Sequence, residues 1–206
     1  MDWRQHHNHW CNLKFLPIFL IGLRAALAPV ILLLAWCPQS QHAMGLCLVI
    51  AFLSDVFDGI IARQLGIAAA NLRRLDSAAD SLFYLAAAIA AWHVHPTAIA
   101  TRWLALTLLT ILELWRYLYD YLKFGREASY HMWSSKLWGI ALFAGFFSLL
   151  ALDADNALVG AAIYLGIVAD LEGLVVSAIL TTWRADVPTF LHALRVRAAA
   201  THDHQE

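Results

Sequence analysis

Four aspartates set the chemistry open to this chain. Asp55 and Asp58 stand three residues apart, and Asp76 and Asp80 stand four apart. Both spacings bring side chains onto one face of an α-helix. Residues 63–75 separate the two pairs, a connection short enough to make their helices antiparallel neighbours, and the four carboxylates then converge. Like charges that close do not all stay ionised on their own, and some take up protons unless cations are present. Hard oxygen ligands suit Mg²⁺, Mn²⁺ or Ca²⁺ rather than Zn²⁺. Two such ions about 3.5–4 Å apart would use all four carboxylates, as in two-metal phosphoryl transfer.

The neighbouring residues fit a ligand groove. Gly59 and Ala62 follow Asp55 by one and two helical turns on the same face. Side chains this small let a ligand touch backbone. Arg63 stands at the groove's end, where a guanidinium can clamp phosphate oxygens. Taken singly, Gly59 and Ala62 read as close-packing positions and Arg63 as a membrane-surface anchor. Four aspartates in register favour the site.

The elements that must carry these residues are membrane helices. Of the 206 residues, 61% are hydrophobic and 14% charged, against roughly 25% charged in soluble domains. Six apolar stretches, at 15–36, 44–62, 76–94, 98–120, 136–152 and 157–183, approach the ~20 residues a membrane helix needs. No composition shift divides them, so an all-α integral membrane fold, a bundle of six transmembrane helices, is predicted. The nine tryptophans suit two water–lipid interfaces.

Apart from Arg24, inside the first span, and Arg102, the 14 lysines and arginines gather on one side of this arrangement. Basic residues favour the cytoplasmic side, which places both termini and the 63–75 connection there. Residues 1–14 form a cytoplasmic or interfacial segment, 15–183 the membrane domain and 184–206 an interfacial tail. In the tail, a helix starting at Asp186-Val187-Pro188 would put Phe190, Leu191 and Leu194 on one side.

Several other polar residues invite a role. Arg116, Lys123, Arg126, His131 and Lys136 lie near the cytoplasmic ends of the later spans and could bind a phosphate, or simply anchor the helices. Glu113 lies one turn from Arg116 and is its simplest partner. Asp170 and Glu172 do not share a helix face, and are expected to pair with Arg24 or with another helix. His6, His7 and His9 read as a solvated tail, and His93 and His95 as facing water. Cys11, Cys37 and Cys47 have no metal-ligand spacing and read as small apolar fillers.

The run Asp55-Val56-Phe57-Asp58-Gly59-Ile60-Ile61-Ala62-Arg63, with Asp76 and Asp80 following at fixed distance, resembles the signature of the CDP-alcohol phosphotransferases. Pro17, Arg24 and Pro29 also stand at that family's intervals, and the resemblance covers 15 to about 183. It departs at Leu72, where the family usually has a glycine shaping the nucleotide pocket, and at Ile18 and Ile21, which replace its frequent Asn and Thr. The resemblance implies transfer of a phosphatidyl group from a CDP-linked lipid such as CDP-diacylglycerol to an alcohol or phosphorylated alcohol, with release of CMP. It implies Asp55, Asp58 and Asp76 as ligands of Mg²⁺ or Mn²⁺. Asp80 would be the general base, also touching the second ion.

Asp58, Gly59, Ala62 and Arg63 would line the CDP site. Arg116, Arg126, His131 and Lys136 remain candidates for the acceptor. Lys136 follows Ser134-Ser135, where the family often has Gly-Lys. Ser77 and Ser81 stand where family members acting on glycerol 3-phosphate often carry Pro and Lys, which weakens that choice of acceptor. A homodimer in a bacterial cell membrane, with the site facing the cytoplasm and no nucleic-acid partner, completes the expectation. Two other readings compete. Intramembrane aspartates can mark a cation-coupled transporter, although broken helices and inverted repeats are not evident. A non-catalytic membrane scaffold could also retain the motif.

Overall fold

The computed structural model describes residues 15–65, 70–126, 130, 132–183, 187 and 189–202, and among these every regular element is helical. The elements are α1 Leu16–Ala35, α2 Gln41–Gln64, α3 Ala70–Val94, the short α4 Pro96–Ala100, α5 Trp103–Phe124, α6 Trp133–Phe146 with a π-helical continuation Phe147–Ala151, α7 Ala157–Ile179 and α8 Phe190–His202. The N-terminal segment proposed to lie on the membrane is outside the described residues. Among the described residues, four helices are long and apolar enough to cross a membrane: α1, α2, Trp133–Ala151 and α7. Helices α3 and α5 have comparable length, 25 and 22 residues. Their charged turns carry Arg73, Arg74, Asp76 and Asp80 in α3, and Glu113, Arg116, Asp120 and Lys123 in α5, which lowers their apolarity.

The chain divides into two compact units. The first is Met1–Ile99 with Phe146–Ala154. Here α1 enters with Pro17 in its first turn, where a missing N–H costs nothing. It buries a stripe of Pro17, Ile21, Arg24, Ala28, Ile31 and Ala35, spaced by three and four residues as one helical face requires. Both α2 and α3 pack along α1, while they meet each other only slightly. The expectation that α2 and α3 would be direct neighbours is therefore corrected. The buried faces of α2 (Met44, Cys47, Leu48, Ala51, Ser54, Asp58, Ala62) and α3 (Ala79, Phe83, Ala86, Ala87, Ala90, Ala91) are rich in small residues, so backbones approach closely. At the other end of this unit Trp36 stacks on His93 at 4.7 Å, and His95 Nε2 lies 3.3 Å from Asp153 Oδ1. The two histidines, expected only to face water, thus make contacts within this unit.

The second unit is Ala100–Gly145 with Asp155–Glu206. Helix α7 is its spine, started by Asn156, whose side chain accepts from Leu158 N at 2.9 Å. Gly166 and Gly173 of α7 lie two turns apart and receive neighbours from other helices. A Cβ at Gly166 would stand 2.7 Å from Trp138 Nε1, and one at Gly173 would stand 2.7 Å from Arg116 Cδ. Helix α5 ends at Gly125, whose φ of 67° is the left-handed geometry glycine adopts freely at a helix end. Tyr130, Met132, Val176, Leu180, Val187 and Ala193 form a small core where α7 and α8 meet. Helix α8 begins at Phe190, later than the expected Asp186 start. Thr189 Oγ1 accepts from His192 N at 3.3 Å and supplies the cap.

Candidate functional site

The carboxylates are assembled in the first unit around Arg24. Asp58 lies one turn beyond Ser54 on the buried stripe of α2, with Asp55 beside it. Asp76 and Asp80 lie one turn apart on α3. Arg24 of α1 is 1% exposed, and its guanidinium reaches all four. Nη1 donates to Asp76 Oδ1 at 2.9 Å, hydrogen-bonds Asp80 Oδ1, and lies 3.3 Å from Asp55 Oδ1. Nη2 donates to Asp58 Oδ2, and Nε to Ser54 Oγ at 3.4 Å. Ser54 in turn donates to Ala51 O at 2.7 Å. A buried guanidinium is tolerable only when paired and hydrogen-bonded, and this one is surrounded.

The four aspartates are not equivalent. Asp58 is 3% exposed and faces Arg24, whereas the side chains of Asp55, Asp76 and Asp80 are 43%, 32% and 33% exposed. These three each offer one oxygen, and the three oxygens lie within 4.8 Å of one another. Octahedral Mg²⁺ with bonds of 2.0–2.1 Å holds its ligand oxygens about 3–4 Å apart. The trio needs only modest closing to fit such an ion. The donor set, all carboxylate oxygen and partly open to solvent, suits Mg²⁺ or Mn²⁺.

The remaining residues expected at the nucleotide side lie on α2. Gly59 is half-buried, and a Cβ there would stand 3.9 Å from both Nη1 and Nη2 of Arg63, so that guanidinium folds back along the glycine. Ala62 is buried at 8% exposure and packs inside the unit.

The basic residues expected to meet an acceptor lie in the second unit. Arg116 Nε donates to Asp170 Oδ1 at 2.9 Å. Asp170, and not Glu113 one turn back, thus accepts from that nitrogen. Asp170 thus pairs with another helix of its own unit, and Arg24 with the aspartate cluster of the first unit. Lys123 Nζ donates to Ser177 O and Ala178 O at 2.8 and 3.2 Å, closing carbonyls at the end of α7. Arg126 lies over the Trp183 ring at 4.8 Å and Lys136 over Trp133 at 4.7 Å. His131 falls outside the described residues.

A buried relay stands beside them. Ser177 donates to Asp120 Oδ1, and the Tyr130 hydroxyl meets Ser177 Oγ at 2.9 Å. Burial pushes Tyr130 up to about 12, so at neutral pH the phenol keeps its proton and donates it to Ser177.

Sequence reasoning did not place Arg24 or Ser54 at the site. Both had a signal. Arg24 is the one basic residue in the middle of the first span, and Ser54 stands one turn before Asp58.

A family model described as CDP-alcohol phosphatidyltransferase matches residues 14–183. The chain belongs to this family. No curated protein and no solved structure matches it. As a CDP-alcohol phosphatidyltransferase, it is a membrane-embedded transferase of substituted phosphate groups in phospholipid biosynthesis. The family moves a phosphatidyl group from a CDP-alcohol and generally depends on a divalent metal. The aspartate cluster lies within the matched residues.

Proposed function

We propose that this CDP-alcohol phosphatidyltransferase takes a CDP-linked lipid such as CDP-diacylglycerol as donor and passes its phosphatidyl group to a small alcohol or phosphorylated alcohol, releasing CMP. The observation that carries this reading is the trio Asp55, Asp76 and Asp80, which brings three half-exposed carboxylate oxygens within 4.8 Å of one another inside the family's matched span. Asp55, Asp58, Asp76 and Asp80 would hold Mg²⁺ or Mn²⁺, with two ions as the full complement. When bound, the metal supplies positive charge against the diphosphate and the departing CMP.

Asp80 is the proposed general base. Its carboxylate takes the proton of the acceptor hydroxyl, that oxygen attacks the lipid-side phosphorus, and the bond to the CMP oxygen breaks with its electron pair leaving on CMP. Asp58, Gly59, Ala62 and Arg63 are proposed to hold the CDP portion, with the Arg63 guanidinium beside Gly59 meeting phosphate oxygens. Arg116, Arg126, His131 and Lys136 are proposed for the acceptor on their charge alone.

Six crossings with both ends and the site on the cytoplasmic side follow from the charge asymmetry. Exposed apolar side chains along α3 and α5, among them Leu85, Ile89, Leu108 and Ile111, support lipid contact by these two helices as well. Segments 1–14 and 184–206 are proposed to lie at the membrane surface; Phe190, Leu191 and Leu194 are exposed on α8, as such a helix needs. A homodimer in a bacterial cell membrane is the proposed setting.

The test is incubation of purified protein in mixed micelles with cytidine-labelled CDP-diacylglycerol, Mg²⁺ or Mn²⁺, and a panel of alcohols. Metal-dependent CMP release triggered by one alcohol supports the reading and names the acceptor. Cation flux in proteoliposomes without CMP release would replace it with transport.

A further inference from the structure

Arg24 and the metal trio use the same place. One guanidinium nitrogen, Nη1, lies within hydrogen-bonding or ion-pairing reach of Asp55, Asp76 and Asp80 together. These are the three residues whose oxygens converge within 4.8 Å. We propose that Arg24 is an exchangeable internal counter-cation, whose Nη1 holds the divalent-ion position in the metal-free protein and withdraws when an ion enters. The proposal rests on reading the trio as the metal centre.

Three observations carry it. First, the cluster gathers four carboxylates on one guanidinium that is 1% exposed. Arginine stays charged in proteins, so without a metal Arg24 offsets part of the repulsion among these carboxylates. Second, the positions compete. A divalent ion needs carboxylate oxygens at about 2.0–2.6 Å, and Nη1 already sits 2.9 Å from Asp76 Oδ1 and 3.3 Å from Asp55 Oδ1. Two cations cannot share three oxygens at such range without strong repulsion. Third, the guanidinium has somewhere to stay. Nη2 on Asp58 and Nε on Ser54 hold its other edge, and both partners are 3% exposed on the buried face of α2. A small swing about that edge frees Nη1 from the trio while two bonds persist.

The exchange has two consequences. The metal-free protein remains folded, and ion affinity is weaker than three carboxylates alone would give. This makes Arg24 a positioning residue that sets metal affinity.

The experiment measures Mn²⁺ affinity by calorimetry and electron paramagnetic resonance on full-length protein in detergent micelles. Arg24→Gln is compared with wild type. Because that change leaves Asp58 buried without its partner, the double variant Arg24→Gln/Asp58→Asn is also compared with Asp58→Asn. Removing Arg24 should tighten Mn²⁺ binding by about tenfold or more in each comparison, and Mn²⁺ should raise the unfolding temperature more in Arg24→Gln than in wild type. Equal or weaker Mn²⁺ binding in the folded variants overturns the exchange while leaving the metal centre in place. Absence of Mn²⁺ binding in every form, wild type included, overturns the metal centre itself. If the variants do not fold, wild type labelled with ¹⁵N-arginine decides. A slowly exchanging guanidinium signal present in EDTA should shift or vanish when Mg²⁺ saturates the protein, and an unchanged signal with Mg²⁺ bound contradicts the proposal.

Discussion

Arg116 Nε donates to Asp170 Oδ1 at 2.9 Å, joining α5 to α7 across a carboxylate that is 1% exposed. The second Asp170 oxygen is buried without a hydrogen-bond partner among the described residues. The guanidinium therefore carries most of the compensation for this charge. The contact also depends on Gly173, where any Cβ would collide with Arg116 Cδ at 2.7 Å.

Removing one side of this pair should be costly. Breaking a buried ion pair from one side costs about 3–5 kcal/mol, and the partial exposure of Arg116 brings this to the lower end. Arg116→Met is expected to lower the unfolding temperature in micelles, followed by tryptophan fluorescence. The double change Arg116→Met/Asp170→Leu should recover most of the loss. Equal stability of wild type and the single variant contradicts the pairing.

The glycines of α7 predict a sharp contrast. A Cβ at Gly166 would stand 2.7–2.8 Å from the Trp138 ring and Leu109 Cδ1, whereas nothing lies within 4 Å of one at Gly160. Overpacking of this kind costs about 1–3 kcal/mol. Replacing an open helical glycine by alanine instead gains up to about 1 kcal/mol. Gly166→Ala should melt earlier than wild type and Gly160→Ala no earlier, in the same fluorescence assay.

Gly59→Ala separates packing from ligand contact. The added methyl meets only the Arg63 guanidinium, at an ordinary 3.9 Å, so folding stability should stay within about 0.5 kcal/mol of wild type. If Gly59 lines the CDP site, KM for the CDP-linked donor rises while the unfolding temperature stays put. An unchanged KM removes Gly59 from that site.

Asp80→Asn tests the base. The amide keeps the shape and loses the proton-accepting charge, and general-base catalysis is worth about 10²–10⁴-fold. CDP binding should persist, measured by equilibrium dialysis, while turnover falls by that factor. Unaltered turnover would take the base role away from Asp80.

Much of this was legible in the chain, and the gaps have physical causes. The apolar stretch 157–183 became α7 at Ala157–Ile179, and 15–36 became Leu16–Ala35, because predominantly apolar runs of this length have few alternatives to a membrane helix. Helix α3 starts at Ala70, before the expected 76. Apolarity marks where lipid ends, while a helix can run on through Arg73 and Arg74. The convergence of Asp55, Asp76 and Asp80 follows from i,i+3 and i,i+4 spacing. Their arrangement about α1 did not, because spacing along a chain says nothing of which third helix lies between two others. Arg24 could have been found by asking which charges a buried guanidinium must meet. The partner of Asp170 lay on α5, 54 residues away, and nothing local in the sequence chooses it over Glu113.

The most direct measurement compares alcohol-dependent CMP release by wild type and Asp76→Asn in the same micelles, at saturating Mg²⁺ and after EDTA. Asp76 belongs to the trio and accepts from Arg24 Nη1 at 2.9 Å, and the change to asparagine removes its charge without adding bulk. Wild type should release CMP only with the metal present, and the variant should fall by at least about 10²-fold, the scale of losing one electrostatic contact in the transition state. CMP release that survives EDTA, or that is equal in the two proteins, would contradict a reaction carried out at this carboxylate cluster.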